Sequence, residues 1–357
     1  MIKSTTSLIA SSASLLILIL AGVSVSSQAQ QVVPPCDPNA PETCLYRSDL
    51  HYVVGVIDGL ELVDPSRNNY RIPLRIQYPI GLAGPRPVVI WNHGGNPSAN
   101  GNTRSENWGW VLAAAGYIVI HPSRVPIENP EDSQCECTEN GFNSPDECAQ
   151  WLANMRFGPQ NTHFIIDNLT RIVSLAPRFA GLFDINKIVV AGHSAGTTTV
   201  LANAGTTQQW LEGGQIYNER DDRPIAFLAT GPMGPLYAGF RSGFGSTSFV
   251  GMERPIMFIT GVGDETGEPP ESRTTGWLRS PASNKVLSWD TDRHAVHETM
   301  NIDKCDTPSR RDHCRWIASA GLAFLDAVVR ERAEARNWIA SDSLKLLSVG
   351  AIEIHRR

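Results

Sequence analysis

The chain carries no cluster of Lys or Arg, and its formal charge is -6 with a sequence pI near 5.9. A surface without a basic footprint is not built to grasp phosphate backbones or anionic lipid, so nucleic acid is excluded as an expected partner. Beyond residue 23 there is no apolar stretch approaching the ~20 residues a spanning helix needs, and none of the mature chain is expected to cross a bilayer. Internal repeats are absent, as is any composition shift sharp enough to divide the chain into two domains. What remains is ordinary for a globular protein: 357 residues, 41% hydrophobic and 18% charged, enough for one large α/β domain.

The first residues, MIKSTTSLIASSASLLILILAGVSVSSQAQ, combine one early cation at Lys3, an apolar stretch from Leu15 to Val23, and small residues at Ser27 and Ala29. This pattern predicts a signal peptide over 1–29 with cleavage after Ala29; the alternative, an N-terminal membrane anchor, suffers from the shortness of the apolar stretch. No Cys follows the cleavage point, which argues against a lipoprotein. A secreted or periplasmic location in turn predicts disulfides. The seven cysteines agree in their spacing: Cys36 with Cys44, Cys135 or Cys137 with Cys148, and Cys305 with Cys314. A zinc site at Cys135, Cys137 and Cys148 is the weaker alternative, given the acidic neighbours Glu131, Asp132, Glu136 and Glu139. No metal and no organic cofactor are called for.

A Pro-rich leader over 30–50 precedes HYVVGVIDGLELVDPSRNNYRIPLRIQYPIG, which reads as two antiparallel strands joined near Pro65 to Asn69. Thereafter short apolar runs (PVVIWNHG, YIVIHPS, KIVVAGHS, IAFLAT, PIMFITG, KVLSWD) alternate with stretches of helical period. Continuous apolar strands suit a sheet buried on both faces, so the expected fold class is α/β, a mostly parallel central sheet with helices on both faces behind an N-terminal antiparallel pair. One helix is expected from an N-cap near Asn161 with Ile165, Leu169, Ile172 and Ala176 on its stripe, and another with Ile317, Gly321, Phe324, Leu325 and Val328 on one face. The catalytic domain is set at 51–340, with a Cys-containing lid or rim loop at about 123–158 and a C-terminal tail over 341–357.

Four segments carry chemistry. In VVAGHSAGTTT the hydroxyl of Ser194 follows an apolar run and precedes a helical stretch, with Gly192 and Gly196 relieving the crowding of a sharp strand-to-helix turn. A serine held on such a turn beside a base is a nucleophile candidate, and the helix start offers backbone N–H groups to an oxyanion. PVVIWNHGG ends in a glycine loop after an early strand, so Gly95 and Ala195 are the candidate oxyanion donors, with His93 holding the loop. Beyond PIMFITG, Asp264 is the first carboxylate and the candidate acid, ahead of Glu265 and Glu268. KVLSWDTDRHAVHETM supplies the base: His294 is favoured and His297 is the alternative. The order Ser194, Asp264, His294 is the chain order of the α/β-hydrolase fold. Trp91, Trp108 and Trp110 are candidates for lining the cleft or for the core.

Over roughly residues 50–340 the chain resembles the α/β-hydrolases, and within them the secreted bacterial esterases related to platelet-activating-factor acetylhydrolases, dienelactone hydrolases and polyester-degrading enzymes. The segments that carry the resemblance are PVVIWNHGG with ENWGWVLAAAGYIVIHPS, VVAGHSAG, ERPIMFITGVGDE and KVLSWDTDRHAVHE. The resemblance implies a Ser-His-Asp carboxylic ester hydrolase working through an acyl-enzyme on a small-molecule or polymeric ester, and WDTDRH in that comparison strengthens the preference for His294. A peptidase or lactonase on the same triad, or a non-catalytic binding module on the same fold, are the alternatives.

Overall fold

The computed structural model describes residues 44–127, 144–209, 213–236 and 242–357, all within one compact unit that runs from Cys36 to Arg357. Nine strands form one mixed sheet in the order β1-β2-β4-β3-β5-β8-β9-β10-β11. The inner six are the six apolar runs: β3 (Arg86–Asn92), β4 (Ile118–Pro122), β5 (Phe183–His193), β8 (Pro224–Thr230), β9 (Ile256–Gly261) and β10 (Lys285–Asp290). All five pairings among them are parallel. Antiparallel strands close both edges: β1 (Val54–Asp64) pairs with β2 (Tyr70–Pro79) and β2 with β4 on one side, and β11 (Ile352–Arg356) pairs with β10 on the other. A two-stranded ribbon, β6 (Thr207–Gln208) with β7 (Tyr217–Asn218), stands apart from the sheet.

The parallel strands are apolar throughout because both faces are covered. In β3, Val88 and Ile90 point into a core with Ile165, Leu169 and Ile172, whereas Val89 and Trp91 point to the opposite face and pack with Trp108, Leu112 and Phe324. This is the period-two alternation of a strand buried between two layers. Trp91 and Trp108 stack with ring centroids 5.2 Å apart and are wholly buried, so both are core residues, while Trp110 on the same helix faces outward. The long helix Pro308–Val328 begins where Thr307 accepts a bond from Arg310 N and Pro308 occupies the first turn; its Ile317, Gly321, Phe324 and Leu325 are buried as expected.

Two expectations from sequence are corrected. Asn161 caps nothing: it lies buried inside the helix Gly158–Asp167, which is preceded by a π-helical turn (Leu152–Phe157) and the helix Pro145–Trp151. The start is at Ser144, whose hydroxyl accepts from Glu147 N, with Pro145 at the first helical position. SPDE is thus a helix-capping signal, and the stretch expected to be an irregular loop is helical from Pro145 onward. Second, 341–357 is no tail, because a short helix (Ser343–Leu347) and β11 complete the sheet edge. The IEIHR alternation after Gly350 was the available sign.

Cys305 and Cys314 form a disulfide, the pairing expected from their spacing. Cys44 and Cys148 each take part in a further disulfide; Cys36, Cys135 and Cys137, the leader before residue 44 and most of the Cys-rich loop lie outside the described residues. So does the expected signal peptide. Among the described residues no helix is long and apolar enough to cross a membrane.

Candidate active site

Chain order and spatial order diverge at β3: the chain passes from β3 to β4 on one side and then to β5 on the other. A crevice opens at the carboxyl ends of strands where the order reverses in this way, and ligands of open α/β sheets bind there. The Gly94-Gly95 loop leaves β3 on one bank and Ser194 leaves β5 on the other.

Ser194 has φ 53°, a left-handed conformation that a non-glycine residue adopts only when its surroundings hold it. They do so on both sides. Its N–H donates to Thr230 O (3.0 Å) on β8, and its carbonyl accepts from Thr197 N (2.8 Å) and the Thr197 hydroxyl (2.6 Å) at the start of the helix Gly196–Ala204. The two glycines are required by space: a Cβ on Gly196 would stand 2.1 Å from Asn92 O, and one on Gly192 2.7 Å from the same atom. The sharp turn lifts the Ser194 side chain above the sheet, where it is partly exposed while its neighbours are buried.

His297 Nε2 lies 2.7 Å from Ser194 Oγ, and His297 Nδ1 lies 2.5 Å from Asp264 Oδ1. A carboxylate only accepts, so Nδ1 carries the ring proton and the unprotonated Nε2 is free to accept from the serine hydroxyl. Asp264 follows β9 in a tight turn, its N–H donating to Gly261 O (3.0 Å). The adjacent Gly263 leaves room for the loop after β10, since a Cβ there would be 2.5 Å from Ala295 O. Burial alone would push the Asp264 carboxyl up. The hydrogen bond and charge of His297, the Arg273 guanidinium and the Thr260 hydroxyl outweigh it and hold the group below the usual aspartate range.

The imidazole that meets Ser194 and Asp264 is thus His297, not the favoured His294. His294 is 75% exposed and turns back on its own loop, with Nδ1 2.6 Å from Asp292 Oδ1. The cause is local. Asp290 and Asp292 each accept a backbone N–H two residues on (Asp292 N and His294 N, both 2.9 Å), so DTDRH curls into successive Asx turns that direct His294 to solvent. Three residues later the chain has reversed, and His297 opens the short helix His297–Met300 with its side chain 7% exposed. Their immediate flanks in the sequence, Arg293 and Ala295 for His294 and Val296 and Glu298 for His297, each pair one apolar with one charged residue and do not tell the two apart.

Of the other acids, Glu265 is exposed and pairs with Arg293, and Glu268 is buried against Arg273 (3.3 Å) and accepts from Gly234 N (2.8 Å). Arg273, not singled out from sequence, is wholly buried under the acid. It contacts Asp264 Oδ1 (3.0 Å) and donates to the carbonyls of Asp264 (2.9 Å), Pro232 (3.0 Å) and Thr266. Its partners are thereby tied into one rigid floor.

His93 is structural. Its Nε2 accepts from Arg124 N (3.1 Å), which leaves Nδ1 to donate to Gly94 O (2.8 Å). Burial, then the Arg124 charge, keeps it neutral by holding its pKa well below the ordinary value. His193 packs on the His297 ring at 4.6 Å, and burial followed by repulsion from His297 pushes its pKa down to about 3. The N–H groups of Gly95 and Ala195 donate to no acceptor among the described residues. A surface cavity of about 370 Å³ lined by Gln209, Ser242, Phe244 and Thr247 contains none of Ser194, Asp264 and His297. The candidate site therefore rests on the bonded chain of side chains.

Compared with known proteins, the chain matches no family model, and no curated protein matches it.

Proposed function

We propose that the protein is a serine hydrolase of carboxylic esters on an α/β-hydrolase fold. One observation carries the reading: the connected path from buried Asp264 through His297 to the partly exposed hydroxyl of a serine held at positive φ, all at the carboxyl ends of parallel strands. In the reaction His297 Nε2 takes the Ser194 proton as Oγ bonds to the ester carbonyl carbon, and the carbonyl oxygen becomes an oxyanion beside the Gly95 and Ala195 N–H groups. Collapse breaks the bond to the alcohol, which leaves with the proton from His297. A water, deprotonated by the same nitrogen, then attacks the acyl-enzyme; the acid is released and Oγ recovers its proton. Asp264 fixes the tautomer and stabilises the transient imidazolium.

The disulfides and the signal-like N-terminus support secretion, with a small or polymeric ester as substrate. The test is hydrolysis of a chromogenic acetate by the mature chain and its Ser194→Ala variant. Turnover that vanishes with the hydroxyl while the unfolding transition is retained supports the proposal; equal turnover in both defeats it.

A further inference from the structure

Two guanidinium groups hold the backbone of the loop that faces Ser194. Arg104 Nη1 donates to Gly94 O (3.2 Å) and to Asn96 O (3.1 Å), and Arg124 Nη2 donates to Gly95 O (3.0 Å). His93 Nδ1 adds a second bond to Gly94 O. Three consecutive carbonyls are therefore captured by donors, and neither arginine has a carboxylate partner among the described residues. A trans peptide is planar, so its N–H points opposite to its C=O. Fixing Gly94 O toward His93 and Arg104 aims the Gly95 N–H away from them. That N–H donates to no acceptor among the described residues, and Gly94 lies so close to Ser194 that a Cβ on it would sit 3.0 Å from the serine Cβ.

Resting on the hydrolase reading above, we propose that Arg104 is a positioning residue of the oxyanion site: it orients and polarises the Gly94–Gly95 peptide so that the Gly95 N–H meets the charge made by Ser194 attack. A charge-assisted bond to a peptide oxygen draws electron density from its nitrogen and strengthens the N–H as a donor. Gly95 itself has φ 71°, which favours glycine, and the Arg104 guanidinium lies directly over it: a Cβ there would stand 2.8 Å from Nη1. Buried Arg124 braces the next carbonyl from within the fold, whereas Arg104 lies at the exposed rim and can be changed without opening the core.

The experiment compares Arg104→Gln, Arg104→Lys and Arg104→Ala with wild type and Ser194→Ala on a chromogenic acetate, following melting temperature alongside kcat and KM. Loss of a direct oxyanion donor costs about 100- to 1,000-fold in kcat, so loosening one from behind is expected to cost about tenfold, with KM within about twofold. Lysine is expected to restore part of the loss, and millimolar guanidinium to accelerate Arg104→Ala but neither wild type nor Ser194→Ala. A kcat for Arg104→Gln within about twofold of an active wild type overturns the positioning role alone. A loss that neither lysine nor guanidinium relieves, paired with a lowered melting temperature, marks plain structural support and overturns it too. Inertness of the wild type toward all esters removes the hydrolase reading and the role with it.

Discussion

Two imidazole–carboxylate pairs sit within one loop of each other and look alike by distance. His297 Nδ1 is 2.5 Å from Asp264, and His313 Nδ1 is 2.6 Å from Asp290, both pairs buried. They differ at the other nitrogen. His297 Nε2 faces the Ser194 hydroxyl, whereas His313 Nε2 faces a second carboxylate, Asp292, at 3.2 Å. Burial alone would lower the His313 pKa, but the two aspartates outweigh it and raise it, so this ring is held as a cation that clasps the loop. A short histidine–carboxylate contact is therefore no mark of catalysis by itself. The hydroxyl at the far nitrogen is what distinguishes the candidate site.

The largest effects separate the histidines outright. His297→Ala is expected to lower kcat/KM for a chromogenic ester by about 10⁴-fold or more, while His294→Ala, at an exposed position, leaves it within about twofold. Steady-state kinetics on both variants decides it; a greater loss at His294 would reverse the assignment. Next comes the turn: Gly196→Ala forces a Cβ against Asn92 O and is expected to destabilise the fold by about 3 kcal/mol or to prevent its recovery, as read by denaturant unfolding.

His313→Gln is expected to cost about 1–3 kcal/mol near pH 6 and less near pH 9. The folded pKa is raised, so the stabilisation is complete below the unfolded value and disappears as pH climbs through the folded one. An equal loss at both pH values would show the clasp to be uncharged. The last effect, which grows with acidity, concerns the neutral buried histidines. His121 and His193 are pushed down to about 3, chiefly by burial, and His93 well below its ordinary value, so each binds a proton only when the chain unfolds over most of the range below about pH 6.5. Stability should fall with acid there by about 1.4 kcal/mol per pH unit per histidine, and His121→Gln should flatten that slope by about one proton. Urea titrations across pH 4–7 measure it, and an unchanged slope would contradict it.

Much of this was readable in one dimension. The six parallel strands were visible because a strand covered on both faces must be apolar at every position, which is a local property of composition. Ser194 and its flanking glycines were visible because a tight turn demands small residues at fixed offsets. The helix that starts at Ser144 is encoded just as locally, by its Ser-Pro-Asp-Glu start, but the cysteines and acids before it have the composition of a loop. The choice between His294 and His297 was of another kind: both lie within reach of a strand end, and the Asx turns that separate them depend on which side-chain oxygens find backbone donors.

By itself, then, the sequence determined the alternation of strand and helix, the strained serine turn and the order of candidate groups, since these follow from short-range sterics and burial pattern. Only the tertiary structure decided which histidine closes the path, that Arg273 lies beneath the acid, and that Arg104 and Arg124 seize the carbonyls of the glycine loop. Those contacts join residues far apart in the chain, and no local rule of spacing encodes a distance that long-range packing alone creates.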